Sequence, residues 1–262
     1  MKSQPFFSKL ILIVLILLSG CTSQKKLAYL NNLPAPNGEE NFIMSIPDYK
    51  IQPRDVLYIS VKALSPDGSI RDFLASGSNS IYLAQGEAGG AFMGYNVNPE
   101  GYITLVPIGQ IKVSGLTLEE TRKTLQELTE KVFINSTVEC KLLSFKFTVI
   151  GEVKAPGAYI NYNNYLTVLE AIGRAGGIGD LGNRDRVLVV RPMDKGTKTF
   201  RINLQDKTLI TSEAYFLLPN DVVIVEPMKQ KIFNMNLPTI SFIISTFTGT
   251  LSLTLLLINY LK

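Results

Sequence analysis

The sequence predicts an α+β fold that is followed by a single apolar C-terminal helix. Short runs of β-branched and aromatic residues recur along the chain, separated by turns rich in Pro, Gly and Asn, which is the pattern of strands. Two capping boxes, Thr117–Glu120 and Thr167–Glu170, each begin an apolar stripe at helical spacing. The final stretch, residues 239–261, contains no charged side chain and is long enough to cross a membrane.

Residues 1–20 have the pattern of a lipoprotein signal peptide. Two lysines precede the apolar run of residues 10–18, which is too short to serve as a permanent membrane span. The run ends in Leu18–Cys21, which resembles a bacterial lipobox and implies that Cys21 becomes the lipidated first residue of the mature chain. The alternative is an ordinary signal peptide whose cleavage site happens to carry a cysteine. Residues 21–46 are polar and contain prolines, so we expect them to form a linker.

The first folded segment is predicted to cover residues 47–145. A turn at Pro53–Asp55 leads into a β-rich run, and residues 65–98 are interpreted as long loops around one short strand near residues 80–84. Two further strands fall within residues 101–113. The helix that begins at the first capping box has one apolar face at helical spacing, formed by Leu118, Thr121, Leu125, Leu128 and Val132.

The second segment, residues 146–232, also mixes strands and a helix. A type II turn is predicted at Lys154–Gly157, and Gly176–Gly177 ends the helix of the second capping box. The turn Pro219–Asp221 repeats the Pro-X-Asp pattern of Pro53–Asp55, which we interpret as shared turn chemistry and not as duplication. Strands are predicted at residues 147–153, 158–160, 186–191, 199–204 and 222–225.

The composition argues against several classes of function. Hydrophobic residues make up 46% of the chain and charged residues 18%, so a core can form. The formal net charge is +4, and removal of the two signal-peptide lysines would leave about +2. Without a basic patch that contains aromatic residues, nucleic-acid binding is not predicted. Histidine is absent, which removes the commonest general base and metal ligand.

Three features suggest chemistry but have simpler structural interpretations. Gly177–Gly182 matches G-x-G-x-x-G, yet it follows a helix and precedes a strand, the reverse of a dinucleotide site, so we interpret it as a loop. Glu152 lies beside a Pro-Gly turn and is expected to be a solvated or turn-stabilising group. Cys140 alternates with charged residues in a half-buried strand, where cysteine behaves as a small core residue. We therefore predict no enzyme activity, no cofactor and no metal site.

Several motifs resemble one known family. Four stretches are similar to a polysaccharide export domain: Tyr49–Asp55, Asn98–Ile103, Pro107–Gly109 and Gly115–Thr117. Four more resemble a soluble-ligand-binding (SLBB) β-grasp domain: Val149–Val153, Pro156–Tyr159, Leu169–Ile172 and Ala175–Gly177. With the lipobox, this is the layout of outer-membrane polysaccharide export lipoproteins, and the resemblance covers residues 47–227. Arg54 departs from the family, which usually carries glycine there, and a single β-grasp copy is visible.

The apolar tail is predicted to form one transmembrane helix within residues 237–262, with Pro238 in its first turn. A helix of about 33–36 Å exceeds a hydrocarbon core of about 30 Å. At about 100° per residue, its hydroxyl groups fall on two opposite faces. The first stripe contains Ser241, Ser245, Thr248 and Ser252 and is extended by Asn259, whereas the second stripe contains Thr246, Thr250 and Thr254.

These stripes have two interpretations. In one, the hydroxyls bond to carbonyls of their own helix and have no further role. In the other, which the family resemblance favours, copies of the helix form a barrel in which one stripe lines an aqueous pore. We expect the first stripe to be that one because it is the longer.

The resemblance implies a role in export. It implies a homo-oligomeric ring that is lipid-anchored in the outer membrane, with the bulk of the chain in the periplasm and a channel enclosed by the C-terminal helices. The substrate would be a capsular polysaccharide or exopolysaccharide, and an inner-membrane polysaccharide co-polymerase or tyrosine kinase would be the partner. The alternative is a membrane-anchored periplasmic glycan-binding adaptor without a pore. A third, enzymatic hypothesis would require a carboxylate pair, which no motif marks.

Overall fold

The computed structural model describes residues 27–33, 38–65, 67–74, 94–193 and 195–261. The predicted signal peptide, Cys21 and the strand expected near residues 80–84 lie outside this part of the chain. The strands are β1 (Val56–Leu64), β2 (Ile70–Asp72), β3 (Tyr95–Asn96), β4 (Tyr102–Leu105), β5 (Gly109–Lys112), β6 (Thr137–Leu142), β7 (Lys146–Gly151), β8 (Gly157–Ile160), β9 (Gly182–Pro192), β10 (Thr197–Ile202) and β11 (Val222–Pro227). The helices are α1 (Leu118–Thr129), α2 (Val168–Arg174) and α3 (Lys229–Tyr260), with a short 3-10 helix at Lys207–Thr211.

Strand β1 is the centre of the first sheet. One of its edges pairs antiparallel with β6, and its other edge pairs with the short strands β2 and β3. The residues of β1 that face the core, Leu57, Ile59 and Val61, are at most 3% exposed. Strands β4 and β5 form a separate hairpin. The sequence did not predict β2 and β3 because their three and two residues depend on pairing with β1 and not on local pattern.

Helix α1 begins at the predicted capping box. The amide of Glu120 donates to the hydroxyl of Thr117 at 3.1 Å, and the Glu120 carboxylate accepts from the Thr117 amide at 2.7 Å. Residues on one face of the helix are buried: Thr121, Leu125 and Thr129. These residues lie over β6, the strand that carries the partly buried Cys140, as predicted.

The predicted apolar face of α1 extends too far. The helix ends at Thr129, and Val132 lies beyond it with 48% of its surface exposed. The Gln126 side chain donates to the carbonyl of Ser136 at 2.6 Å and accepts from the amide of Val138 at 2.9 Å. Because these bonds hold the following chain against the helix, the helix stops although the apolar spacing continues.

The second sheet has the strand order β10-β9-β11-β7-β8. Strands β7 and β11 are the first and last strands of this domain, and they lie side by side and parallel, whereas the other pairs are antiparallel. This is the β-grasp arrangement that the family resemblance implied. Helix α2 begins at the second capping box, which is also confirmed, and packs on β7. Its apolar side is fully buried through Val168, Ala171 and Ile172.

The connection between β7 and β8 differs from the predicted type II turn. With Pro156 and Gly157 as its two central residues, such a turn requires a positive φ at Gly157, but Gly157 lies in β8 and does not have one. The positive φ, +92°, occurs at Gly151, where an added Cβ would lie 2.2 Å from the carbonyl oxygen of Val225. The close approach of β11 to β7 therefore requires glycine at Gly151, a tertiary constraint that local turn statistics do not contain.

The two Pro-X-Asp turns share their chemistry, as predicted. The middle residues have left-handed backbones, with φ of +77° at Arg54 and +68° at Asn220. In each turn the aspartate accepts from the amide three residues earlier at 2.8 Å, Asp55 from Gln52 and Asp221 from Leu218. Asparagine tolerates this backbone better than other residues that carry a Cβ, whereas arginine does not share that tolerance. The positive φ also explains why the family usually has glycine where this chain has Arg54.

Substituting Arg54→Gly is expected to raise the free energy of unfolding by about 1 kcal/mol, because glycine adopts a positive φ without the Cβ clash. Urea unfolding followed by circular dichroism measures the change. The matched control is Arg54→Ala, which removes the long side chain but keeps the Cβ, and it should give no gain. Equal stabilisation by both variants would show that the side chain, and not the backbone, is the source of strain.

Part of the expected N-terminal linker is bound to the second domain. The amide of Leu30 donates to the carbonyl of Leu204 at 3.0 Å, and the amide of Asn31 donates to that of Gln205 at 2.8 Å. The ring of Tyr29 lies 5.5 Å from the guanidinium carbon of Arg184. Residues 27–33 are thus a docked segment and not a free spacer, because backbone pairing and a cation–π contact hold them.

Candidate functional site

Helix α3 is the most unusual element of the chain. It contains 32 residues, which corresponds to about 48 Å, and by length and composition it can cross a membrane. None of its residues is buried by the rest of the described chain. The helix begins at Lys229, so the expectation that Pro238 lies in its first turn is wrong. Pro238 lies inside it, where proline removes one backbone hydrogen bond but does not stop a helix whose flanking residues continue it.

Six hydroxyls of α3 donate to carbonyls of their own helix, whereas no such bond is found for Thr239 and Ser252. In the first stripe, Ser241 donates to the carbonyl of Pro238 at 2.8 Å, Ser245 to Phe242 at 2.9 Å and Thr248 to Ile244 at 2.9 Å. The second stripe makes the same kind of bond through Thr246, Thr250 and Thr254. These are the bonds of the first interpretation above. These bonds satisfy the six donors in hydrocarbon and leave each oxygen free to accept from water or from a sugar hydroxyl.

The faces between the two stripes are apolar. Large side chains there are 51–69% exposed: Phe242, Phe247, Leu251 and Leu256. An uninterrupted apolar surface of this size on a single helix requires cover from lipid or from another protein chain. The helix therefore presents two kinds of surface along its length, the hydroxyl stripes and the apolar flanks between them.

The base of α3 is fixed to the β-grasp domain. The amide of Met228 donates to the carbonyl of Leu181 at 2.7 Å. One turn into the helix, the ammonium of Lys231 forms an ion pair with the carboxylate of Glu152, which lies just after β7. Glu152 is thus not a free solvated group, and its ion pair with Lys231 stabilises the position at which the helix leaves the sheet.

The G-x-G-x-x-G stretch lies next to this base and has the predicted structural role. Gly176 and Gly177 both have positive φ and end helix α2. Gly182 begins β9, and a Cβ added there would lie 2.7 Å from the carbonyl oxygen of Glu152. The glycines therefore serve chain reversal and close backbone packing, and the stretch is the helix-ending loop that we expected.

The docked N-terminal segment lies at the same end of the sheet as the base of α3. Gly182, at the start of β9, pairs with Pro227 at the end of β11, from which α3 continues. Two residues further along β9, the Arg184 carbonyl accepts from the amide of Leu204, and the carbonyl of Leu204 accepts from the amide of Leu30. Leu30 is nine residues after Cys21, so the chain between them spans at most about 32 Å. Cys21 itself lies outside the described residues.

Cys140 is the free cysteine of the described chain. Burial raises the pKa of its thiol to about 12. The thiolate is the reactive form of cysteine, so this group is inert at neutral pH. Within the described ranges, no group of three or more His, Cys, Asp or Glu side chains is placed to hold a metal ion.

Fold and tail together define a two-domain α+β protein with one β-grasp domain and a membrane-length C-terminal helix. Residues 45–143 match the family model of the polysaccharide biosynthesis/export protein, and residues 145–225 match that of the SLBB domain. The chain therefore belongs to the polysaccharide export family, as the motifs indicated. This is a family of export proteins and not one of enzymes.

Two curated relatives illustrate the similarity. The chain is 31% identical over 147 residues to the EPS I polysaccharide export outer membrane protein EpsA of Ralstonia solanacearum. The aligned region covers 53% of this chain and 38% of the relative. It is 33% identical over 102 residues to the EPS I polysaccharide export outer membrane protein EpsA of Ralstonia nicotianae. That aligned region covers 37% of this chain and 27% of the relative. The matched part is thus less than half the length of either relative.

Proposed function

We propose that this protein is an outer-membrane lipoprotein whose α3 helices assemble into a ring around an aqueous channel for a capsular polysaccharide or exopolysaccharide. The observation that carries the proposal is that α3 buries none of its 32 residues. A barrel of helices provides each surface with a partner, since the apolar flanks meet lipid and neighbouring helices and one hydroxyl stripe meets water. The relatives named as outer-membrane polysaccharide export proteins support the location and the substrate class.

The same-end arrangement of the anchors supports the topology. Helix α3 leaves the end of the β-grasp sheet where Pro227 and Leu30 lie, and a lipid on Cys21 would be attached only nine residues before Leu30. Both can therefore enter one bilayer, with the two domains on its periplasmic side. The base contacts of Met228 and Lys231 then set the angle at which each helix enters the ring.

The transport mechanism is passive. Because Ser241, Ser245 and Thr248 already donate to their own helix, they offer a sugar chain only weak acceptor sites, repeated along the channel. A conduit must bind weakly enough to release its cargo, and weak repeated sites meet this requirement. An inner-membrane polysaccharide co-polymerase or tyrosine kinase would supply the polymer and the driving force.

A cysteine at the chain end tests the topology. In intact cells, Lys262→Cys is expected to react with a membrane-impermeant maleimide, because in the proposed topology the helix ends at the outer surface. Cys140 gives little background because its thiol pKa is raised to about 12 by burial. The matched control, Lys123→Cys on the surface of α1, should react only after the outer membrane is permeabilised.

Protection of Lys262→Cys until the inner membrane is breached would contradict the proposal and support the adaptor without a pore. Deletion of the gene gives an independent measurement, since surface polysaccharide should disappear. Unchanged surface polysaccharide in the deletion strain would contradict export as the function of this chain.

A further inference from the structure

A cleft of mixed polarity lies between the two domains, at the opposite end of β11 from the start of α3. Its volume is about 740 Å³, within the range of about 300–1,000 Å³ that is typical of small-ligand sites. Three segments line it: residues 48–52 of the first domain, the hairpin between β9 and β10, and the turn before β11. The cleft is therefore formed only when the two domains are together.

The wall from the first domain is held by Asp55. The Asp55 carboxylate accepts from the hydroxyl of Tyr49 at 2.8 Å and from the amide of Gln52 at 2.8 Å. Its other oxygen accepts from the hydroxyl of Ser144 at 2.9 Å, at the junction with the second domain. Asp55 is buried, so these bonds fix the ring of Tyr49 in place as one surface of the cleft.

The opposite wall is held by Asp221. It accepts from the amide of Leu218 at 2.8 Å and from the guanidinium of Arg191 at 2.8 Å, and Arg191 also donates to the carbonyl of Phe216 at 2.8 Å. Arg191 directly precedes Pro192, the first cleft residue of the hairpin. The two Pro-X-Asp turns thus have a second role, because each one fixes one wall of the same cleft.

The charges at the cleft are unevenly balanced. The lysines are Lys50 on the first domain and Lys195 on the second, and both are exposed, whereas Asp48 is the acidic residue of the described lining. In the described part of the chain, neither lysine has a carboxylate within ion-pair distance. Lys50 also interacts electrostatically with the Glu120 carboxylate. Because neither lysine forms an ion pair within the described residues, the two ammonium groups attract an anion that can reach both of them.

Three of the remaining lining residues suit a sugar, and the other four are apolar: Pro192, Met193, Leu218 and Pro219. Tyr49 presents an aromatic ring, and the side-chain amides of Gln52 and Asn220 can both donate to and accept from hydroxyl groups. An aromatic surface with amides suits a pyranose ring, and the two lysines suit a carboxylate attached to it. We propose that this cleft binds a short acidic oligosaccharide whose sugar units carry carboxylate groups, and this rests on the proposed function, since it specifies the class of polymer that is exported.

Binding of this kind is electrostatic and modest. Lysine acts as a point charge without the bidentate geometry of arginine, so each contact is weak and is screened by salt. A site that bridges both domains from Lys50 to Lys195 also orders the interdomain geometry when it is occupied. The cleft is thus an acceptance site for acidic polymer before it reaches the channel.

Calorimetric titration of the full-length protein in detergent tests the inference, with tetragalacturonate as the acidic probe and maltotetraose as the neutral one. Tetragalacturonate is expected to bind, with an affinity that falls as salt rises, and maltotetraose should bind at least about tenfold more weakly. The double variant Lys50→Gln/Lys195→Gln should lower tetragalacturonate affinity by about tenfold or more. The matched control is Lys123→Gln on the exposed surface of α1, which should leave affinity unchanged.

Equal binding of both probes, no binding of either, or an equal loss in the Lys123→Gln control would each overturn the inference. An unfolded double variant is identified by circular dichroism, and the single variants Lys50→Gln and Lys195→Gln then replace it, each with a smaller loss. The labelling of Lys262→Cys separates this inference from the proposed function. If tetragalacturonate binds but Lys262→Cys stays protected from the maleimide, the channel is contradicted and the cleft site is kept. If Lys262→Cys is labelled but tetragalacturonate does not bind, the cleft site is contradicted and the channel is kept.

Discussion

Replacing Asp221 with asparagine is expected to lower the free energy of unfolding by about 3–5 kcal/mol. Asp221 is fully buried and Arg191 is 4% exposed. The Arg191 guanidinium donates through Nε at 3.1 Å to both carboxylate oxygens and through Nη2 at 2.8 Å to one of them. Asparagine has nearly the same shape and still accepts from the Leu218 amide, but it leaves a permanent buried charge without its counter-ion. That loss is large against the stability of about 5–15 kcal/mol that is typical of a folded domain.

Urea unfolding followed by circular dichroism measures this loss, since the chain has no tryptophan to report by fluorescence. The matched control is Glu213→Gln, which removes the acidic partner of the exposed Lys198 ion pair and should cost under about 1 kcal/mol. Similar small losses of unfolding free energy in both variants would show that the Arg191 guanidinium is hydrated in solution, which would contradict its burial in the structure.

Breaking the Arg191–Asp221 ion pair lowers the free energy of unfolding, but forming the pair also requires that two charges leave water. Burial raises the pKa of Asp221, and the hydrogen bonds from Arg191 and from the Leu218 amide oppose that rise. Removing both charges should therefore restore much of the stability that removing one of them loses. Arg191→Met combined with Asp221→Asn is expected to be more stable than Asp221→Asn alone, although the bond from Arg191 to the Phe216 carbonyl is lost as well. The pair's main contribution is to fix the turn before β11.

Local signals predicted most of the secondary structure. Both capping boxes form with the expected bonds, because Thr117 and Thr167 need only the glutamate three residues later. The Pro-X-Asp turns were predicted for the same reason, since the aspartate of each turn bonds an amide three residues away. The β-grasp order depends on pairing between β7 and β11, more than seventy residues apart in sequence. Only the family resemblance provided that information.

The features that the sequence did not predict all depend on contacts between distant segments. The pairing of Leu30 with Leu204 joins residues that share no local pattern. The end of α1 depends on Gln126 reaching Val138, and the base of α3 depends on Glu152 reaching Lys231. The interdomain cleft belongs to this class as well. Tail spacing did predict two hydroxyl stripes, but it did not reveal that α3 extends back to Lys229, because no residue there opposes a helix.

The stripe that faces water is open to a direct test with a large expected effect. The double variant Ser245→Leu/Ser252→Leu in the first stripe should nearly abolish surface polysaccharide. In a ring, one substitution is repeated in every copy, so each position becomes a complete collar of leucine side chains. Such a collar narrows the channel and expels water from it, which is how hydrophobic constrictions close pores. Both serines are exposed on α3 and bury nothing in their own chain, so the folded domains should be unaffected.

The matched control is Thr246→Leu/Thr250→Leu in the second stripe, which makes a similar change in polarity and size on the opposite face. There, leucine meets lipid or a neighbouring helix, and surface polysaccharide should stay close to the unmodified level. Labelling of Lys262→Cys in each background shows whether the helices still insert. The reverse pattern of loss would assign the second stripe to the channel, whereas normal export by both inserted double variants would contradict a hydroxyl-lined conduit. Surface polysaccharide per cell, measured by a uronic-acid or total-sugar assay on washed cells, distinguishes these outcomes.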